Sequence, residues 1–462
     1  MGGAQVVVLV VALVRTKVIA QLMGPAGVGV VGVLTAFNGN VSTLAAWGLG
    51  ASGVRLIASA PEEAKAAKQA AVRKFGLTLS GFGLAATLLL FWPVAYLTFD
   101  SSRYSLELLI GGLAVPCMVT SSIWSSILQA AGQVKSLAKA QTLSALAGLL
   151  VGLPLIYFFG TVGIAASLLL AAAVPLAFTW HVARRDVVMT AAPACRSDVR
   201  TLFDMGAGLM MIGVASQLAA YAVRLVIIKQ HGQDLASGLA DAGYYQAAIA
   251  IAGSLPALIF SAMSADFFPR IAAVKDEGEA KELAEKQIEA ALLLALPIFV
   301  ALVTMSQLGI RLLYAEKFEP AAPLLSWMIW AVFVRLLGWP LGYWLLARGS
   351  LRTVMLAEIS SSLLMALLPI ILMPRFGLKG AAIGYFAGFT FYAAVMLVVA
   401  RRRCGHWLRA RTFVWFLGAA CLLLAAQAFA QVFPGASWGS VPTALVALGC
   451  FHAYRRVLSA ET

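Results

Sequence analysis

Apolar runs of about 20 residues recur from one end of this sequence to the other, long enough to span a bilayer as helices. The hydrophobic share is 61% and the charged share 12%, against about 25% charged in soluble domains, and the mean hydropathy is +0.89. No stretch is long and polar enough to form a separate globular domain. The first run contains Arg15 and Lys17 and leads directly into the next, so it reads as a spanning helix and not as a cleaved leader.

Turn signals at Gly24-Pro25, Asp100-Ser101, Gly132, Gly160, Gly349 and Pro374 divide the runs into fourteen expected helices. These are 2–22, 28–57, 75–97, 105–131, 134–159, 162–182, 205–229, 243–272, 288–313, 322–347, 351–373, 378–400, 412–432 and 439–454. The segment Pro61–Lys74 alternates Glu, Lys and Ala and reads as an amphipathic surface helix.

The net charge of +14 is a statement about topology, not about nucleic acid. Most basic residues fall in the short loops after even-numbered helices, as in Lys65, Lys68, Arg73 and Lys74, or Arg184 and Arg185, or the run Arg401–Arg403 with Arg409 and Arg411. Loops after odd-numbered helices hold only Arg103, Lys229, Arg311, Lys317, Arg375 and Lys379. This asymmetry places both termini in the cytoplasm and supports an even helix count.

An internal repeat organises the chain. Shifting residues 128–185 by 217 lays them on 345–402 without a gap. Gly132, Ser144, Gly160 and Gly163 meet Gly349, Ser361, Gly377 and Gly380, and Ala183-Arg184-Arg185 meets Ala400-Arg401-Arg402. Each repeat holds six helices, so both enter the membrane in the same direction. The expected fold is an all-α polytopic membrane protein with two parallel six-helix bundles related by pseudo-twofold symmetry about the membrane normal. Residues 1–185 form the first lobe, 186–204 a cytoplasmic linker, 205–402 the second lobe, and 403–462 a C-terminal extension of two further helices.

Charges inside apolar runs are the candidate functional residues, because a buried charge costs a few kcal/mol and must face a bundle interior or a wet cavity. Arg15 lies about 10 Å from the end of the first helix at 1.5 Å per residue, and Arg224 holds a comparable place in the seventh. Arg55 and Arg270 sit near matching ends of helices 2 and 8. Together they would line a cationic cleft from both halves, and the forked guanidinium suits a phosphate or diphosphate. Lys17 and Arg335 are weaker candidates: Lys17 can snorkel, and Arg335 has no evident partner in sequence. Asp266 and Glu107 are candidates for a coupling ion or for structural pairing, Asp266 with Arg270 four residues on. Glu289 and Glu358 sit at helix ends and are expected to be solvated. Asn38, Asn40, Gln217 and Gln246 could contact sugars or bond neighbouring helices.

The five cysteines, Cys117, Cys195, Cys404, Cys421 and Cys450, are scattered, as are the four histidines, so neither a disulfide framework nor a metal site is expected. There is no nucleotide-binding loop, and the longest outer loop, about 230–242, is too short to carry a glycan polymerase active site. No cofactor is expected.

The run Leu13-Val14-Arg15-Thr16-Lys17-Val18-Ile19-Ala20, followed by Leu22-Met23-Gly24-Pro25-Ala26-Gly27-Val28-Gly29, resembles the start of Wzx-type polysaccharide flippases of the multidrug/oligosaccharidyl-lipid/polysaccharide exporter superfamily. The resemblance continues through Asn38-Gly39-Asn40 and Gly48–Arg55. The two extra helices depart from the shortest members and are similar to the lipid II flippase branch. The resemblance implies a bacterial inner-membrane protein that flips an undecaprenyl-diphosphate-linked oligosaccharide, such as an O-antigen unit, by alternating access among membrane lipids. It also implies association with glycan polymerase machinery. The family's cationic cavity would map onto Arg15, Arg55 and Arg224. Competing readings are a cation-coupled multidrug exporter of the same superfamily, whose cavity should favour acids, and a membrane glycan polymerase or ligase.

Overall fold

The computed structural model describes residues 2–186, 193, 195–232, 234–274, 276–404, 408–432 and 442–450. Among these the chain is almost wholly helical: α1 (Gly2–Ala46), α2 (Leu49–Ala58), α3 (Glu62–Phe99), α4 (Ser105–Gly112), α5 (Ala114–Ala130), α6 (Val134–Leu150), α7 (Gly152–Asp186), α8 (Arg196–Lys229), α9 (Leu235–Ala273), α10 (Glu277–Thr304), α11 (Ser306–Leu313), a 3-10 turn (Glu316–Ala321), α12 (Ala322–Ala347), α13 (Leu351–Phe376), α14 (Lys379–Cys404) and α15 (Ala410–Val432). Ten candidate spans among the described residues are long and apolar enough to cross a membrane. This is an all-α multi-pass membrane protein.

The breaks follow local chemistry. The helix α1 bends at Gly24 (φ 64°, ψ −169°), a conformation open to glycine and placed directly before Pro25, whose ring disfavours the helical region for its predecessor. The second expected helix, 28–57, is broken into the end of α1 and α2 by an elbow in which Trp47 (φ 47°) and Gly48 (φ 66°) are both left-handed. Pro61–Lys74 is not a separate surface helix. It runs without a turn residue into the next span as α3, with Glu62 and Glu63 at the positive end of its dipole. The ninth expected helix begins well before 288, because the Asp276 carboxylate accepts the Glu279 amide at 2.8 Å and caps α10 there. Of the fourteenth, 439–454, residues 442–450 are helical and the rest lies outside the described residues; of the expected linker 186–204, residues 196–204 form the start of α8, and 187–192 and 194 lie outside the described residues.

The repeat is visible in backbone detail. Gly132 and Gly349 take φ 74° and 72°, and Gly160 and Gly377 take φ 56° and 58°. The amide of Gln133 donates to the Leu128 carbonyl at 2.8 Å, and Ser350 to Leu345 at 2.9 Å. Ser144 Oγ donates to Ala171 O at 2.7 Å, and Ser361 Oγ to Gly388 O at 2.8 Å. Each pair differs in number by 217.

The chain divides into two compact units, Met1–Gly243 and Tyr244–Thr462. In the first, α1 packs against α3, α5, α6, α7 and α8. The contact with α8 is close because glycines leave room for it: a Cβ on Gly206 would lie 2.0 Å from the Trp47 carbonyl oxygen, and one on Gly39 would lie 2.6 Å from the Gln217 side-chain Nε2. The Trp47 ring stacks on Phe203 at 4.6 Å, and its Nε1 donates to Phe203 O. The start of α9 joins the same seam, with Gly243 against Pro25 O. In the second unit α12, α13 and α14 pack together over a core that includes Phe267, Leu341, Trp344, Leu345, Tyr392 and Met396, and α15 lies along α10.

Candidate functional site

Arg15 projects from the first arm of α1 into a notch between α6 and α7. Its Nη2 donates to Ser167 Oγ at 2.9 Å, and a Cβ on Gly148 would sit 3.2 Å from its Nη1, so a side chain there would press on the guanidinium and a large one would displace it. The buried Nε has no hydrogen-bond partner, and no ion pair of Arg15 exists among the described residues. The notch belongs to the first repeat alone. At a shift of 217, Gly148 becomes Met365 and Ser167 becomes Gly384, which neither leaves the space nor offers the hydroxyl.

Arg224 is 8% exposed on α8, and its Nη1 donates to Ala220 O of its own helix at 2.6 Å. It therefore shares the first unit with Arg15, and each is held by its own local partners. Arg55 is exposed on α2, and Lys17 is half-buried on α1. Arg270 is exposed near the end of α9. Asp266 lies in α9, but its side chain is outside the described residues.

The polar residues weighed as sugar contacts are mostly engaged with backbone. Asn38 Nδ2 donates to Gly111 O at 2.9 Å. Asn40 Nδ2 donates to both Ala36 O and Gln217 O, which ties α1 to α8, and the Gln217 side chain covers Gly39. Gln246 is half-buried in α9, in the second unit. Glu107 is 5% exposed and accepts from Thr161 Oγ1 at 2.6 Å, which links α4 to α7 beside the Gly160 bend.

Two acids expected to be solvated are not. Glu358 is half-buried on α13, hydrogen-bonded to Tyr392 and electrostatically paired with Arg335. The Arg335 guanidinium also lies 4.9 Å from the Phe389 ring centroid and 5.8 Å from that of Phe260. Arg335 thus has a partner after all, brought to it by α13 and α14. In the first repeat the positions of Glu358 and Tyr392 hold Gln141 and Pro175, so this charge cluster is peculiar to the second. Glu289 accepts from Thr412 at 2.9 Å and pairs with Arg411 at 3.3 Å. With Glu282 and Glu285, which bind Arg409, it forms an acidic stripe on α10 that holds the start of α15.

Two cavities of the second unit are lined by described residues. One, of about 560 Å³, lies among Leu337, Leu397, Leu408, Phe413, Phe416 and Leu417 and is apolar. The other, of about 580 Å³, lies at the opposite end of the unit and has a mixed wall, in which amide, hydroxyl and charged side chains alternate with Val303, Ala322, Ala430, two prolines and Trp327. Ser167, Gly148, Thr161, Glu358 and Tyr392 are the site residues that sequence reasoning missed. For the first two a signal existed, namely the mismatch with Met365 and Gly384 inside an otherwise ungapped repeat.

Comparison with known proteins places this geometry in a family. Residues 18–323 match the family described as polysaccharide biosynthesis protein. A putative O-antigen transporter of Shigella flexneri is 22% identical over 228 residues, 48% of this chain and 51% of that protein, so the chain spans about half the length of this curated relative. Among solved structures, the lipid II flippase MurJ in an inward closed conformation aligns with a TM-score of 0.73 at 14% identity, covering 98% of both chains. An inward-facing multidrug resistance transporter of the MATE family, in the MOP superfamily, aligns with a TM-score of 0.66 at 18% identity over 87% of this chain and 94% of that one. At these identities the two structures establish the shared fold.

Proposed function

The chain belongs to the polysaccharide biosynthesis protein family, and we propose that within it this protein is a flippase that carries undecaprenyl-diphosphate-linked oligosaccharide from the cytoplasmic to the periplasmic leaflet of the bacterial inner membrane. Arg15 carries this reading. A guanidinium set inside a spanning helix bundle with one hydroxyl partner, an unsatisfied Nε and no acid among the described residues is an incomplete electrostatic arrangement. An anion completes it. A central-helix arginine costs about 2.5–3.5 kcal/mol on insertion scales, and one charge-assisted hydrogen bond offsets about 1.5–3 kcal/mol of that. The balance is close to even, so Arg15 can be inserted without an acid and is still ready for a diphosphate oxygen.

Arg224 and Arg55 are assigned to the same cationic path. Alternating access, cytoplasmic termini, and association with glycan polymerase machinery belong to the proposal. The similarity to the O-antigen transporter of Shigella flexneri and to the fold of the lipid II flippase supports a lipid-linked glycan as the cargo. A cation-coupled drug exporter would need acids free to meet cationic drugs; of the described candidates, Glu107 is held by Thr161 and Glu358 by Tyr392.

The test is lipid-linked glycan flipping per folded molecule in reconstituted vesicles. Arg15→Ala and Arg224→Ala should abolish turnover while leaving the amount of folded protein nearly unchanged, and Arg15→Lys should restore only part, since an ammonium lacks the fork. Wild-type turnover per molecule in both alanine variants would sink the assignment.

A further inference from the structure

The polar cavity of the second unit is built at the end remote from the Arg401–Arg403 run, where α10, α11, α12 and α14 meet the last turns of α15. Its volume of about 580 Å³ is in the range of small-molecule sites. Three amides line it: Gln307 from α11, and Gln427 and Gln431 from α15. Each carries a donor and an acceptor in one rigid group. Trp330 Nε1 donates to Gln427 Oε1 at 2.7 Å. That bond fixes the rotation of the amide and leaves its NH2 without a protein partner among the described residues. Trp327, tilted against Phe386 at 5.7 Å, gives an aromatic face that is 37% exposed. The two charges on the wall, Glu319 and Lys379, are of opposite sign, and Glu319 is engaged by Arg311 Nε at 2.6 Å. A wall without net charge does not select an ion. Three amides set among apolar and aromatic side chains suit a ligand with both hydroxyl and C–H faces better than an acyl chain, for which the other cavity, lined by Leu337, Leu397, Phe413 and Phe416, is fitted.

We propose that this cavity is a saccharide-binding site taking a neutral mono- or disaccharide. Vicinal hydroxyls match an amide that donates and accepts side by side, and the C–H face of a pyranose packs on an indole. The site is outside the arginine path and exists only in the second repeat: Lys379 corresponds to Val162 in the first, and α15 is outside the repeat. This gives the extension a task, because Gln427 and Gln431 come from it. The choice of sugar as the ligand rests on the glycan-transport proposal, and the site would hold part of the glycan once it has crossed.

The experiment is calorimetric titration of the purified full chain with glucose, galactose, rhamnose and N-acetylglucosamine, with inorganic phosphate as the contrasting probe. Saturable millimolar binding of at least one sugar is expected. Gln307→Ala and Gln431→Ala should each weaken it about fivefold, the loss of one neutral hydrogen bond, and Trp327→Ala about tenfold. Arg15→Ala should leave it unchanged. No sugar bound, binding indifferent to all three cavity variants, or phosphate bound in place of sugar overturns the proposal. Flipping measured on the same preparations separates the two claims. A chain that flips glycan but binds no sugar refutes only the cavity, and one that binds sugar through these residues without flipping refutes only the transport reading.

Discussion

A guanidinium inside a spanning helix needs both space and a partner, and for Arg15 these come from Gly148 and Ser167, which only the mismatch with Met365 and Gly384 marks in the sequence. Filling the notch is therefore a sharper probe than removing the arginine. Gly148→Leu should displace the guanidinium from Ser167 and reduce flipping as strongly as Arg15→Ala does, whereas Ser167→Ala should reduce it only severalfold, the loss of a single hydrogen bond to a charged group, about 1.5–3 kcal/mol. Turnover per folded molecule reads both, and a Gly148→Leu variant with full turnover would remove the notch from the mechanism. The Arg335–Glu358–Tyr392 cluster makes the opposite case. Arg335 attracts the Glu358 carboxyl and Tyr392 hydrogen-bonds to it, so Glu358→Gln should lower thermal stability in detergent more than it lowers turnover per folded molecule.

Among elements, the seam between α1 and α8 depends on the absence of side chains. Gly206→Ala puts a methyl 2.0 Å from the Trp47 carbonyl oxygen, and backbone cannot move aside as a side-chain end can. The expected cost is about 1–3 kcal/mol, seen as a lower midpoint in detergent thermal denaturation. Gly81→Ala is the control: nothing lies within 4 Å of its added carbon, and in mid-helix it should gain about 0.5–1 kcal/mol. The paired bends give a second comparison. Gly160→Ala and Gly377→Ala force a side chain onto φ 56° with ψ −124° and φ 58° with ψ −148°, so they should cost similar amounts, of order 1–3 kcal/mol each. Unequal losses would mean that the two repeats do not share this turn. At the start of α15, the Arg409→Glu variant faces Glu282 and Glu285 across the former ion pairs. It should destabilise the second unit, and adding Glu282→Arg should recover part of the loss.

For the whole molecule, the basic loops predict both termini on the cytoplasmic face. A reporter fused after Thr462 should be active only in the cytoplasm, and periplasmic activity would reverse the orientation and undo the even count of spans. The sequence by itself determined the class of this protein. Apolar run length and charge asymmetry are set by the bilayer, which acts on each segment separately and can be read one segment at a time. It also determined the repeat, because left-handed glycines such as Gly132 and Gly349, or Gly160 and Gly377, are required locally. It marked Arg15, Arg224 and Arg335 as charges out of place. Tertiary structure alone decided what surrounds them. Ser167 and Gly148 around Arg15, Glu358 and Tyr392 at Arg335, and the three amides of the polar cavity come from segments far apart in the chain. Partnership depends on which helix faces which, and that is fixed by packing, not by any periodicity within one helix. Glu358 shows the limit most plainly: near the end of its helix it has the sequence signature of a solvated acid, and only α12 and α14 closing over α13 make it an internal one.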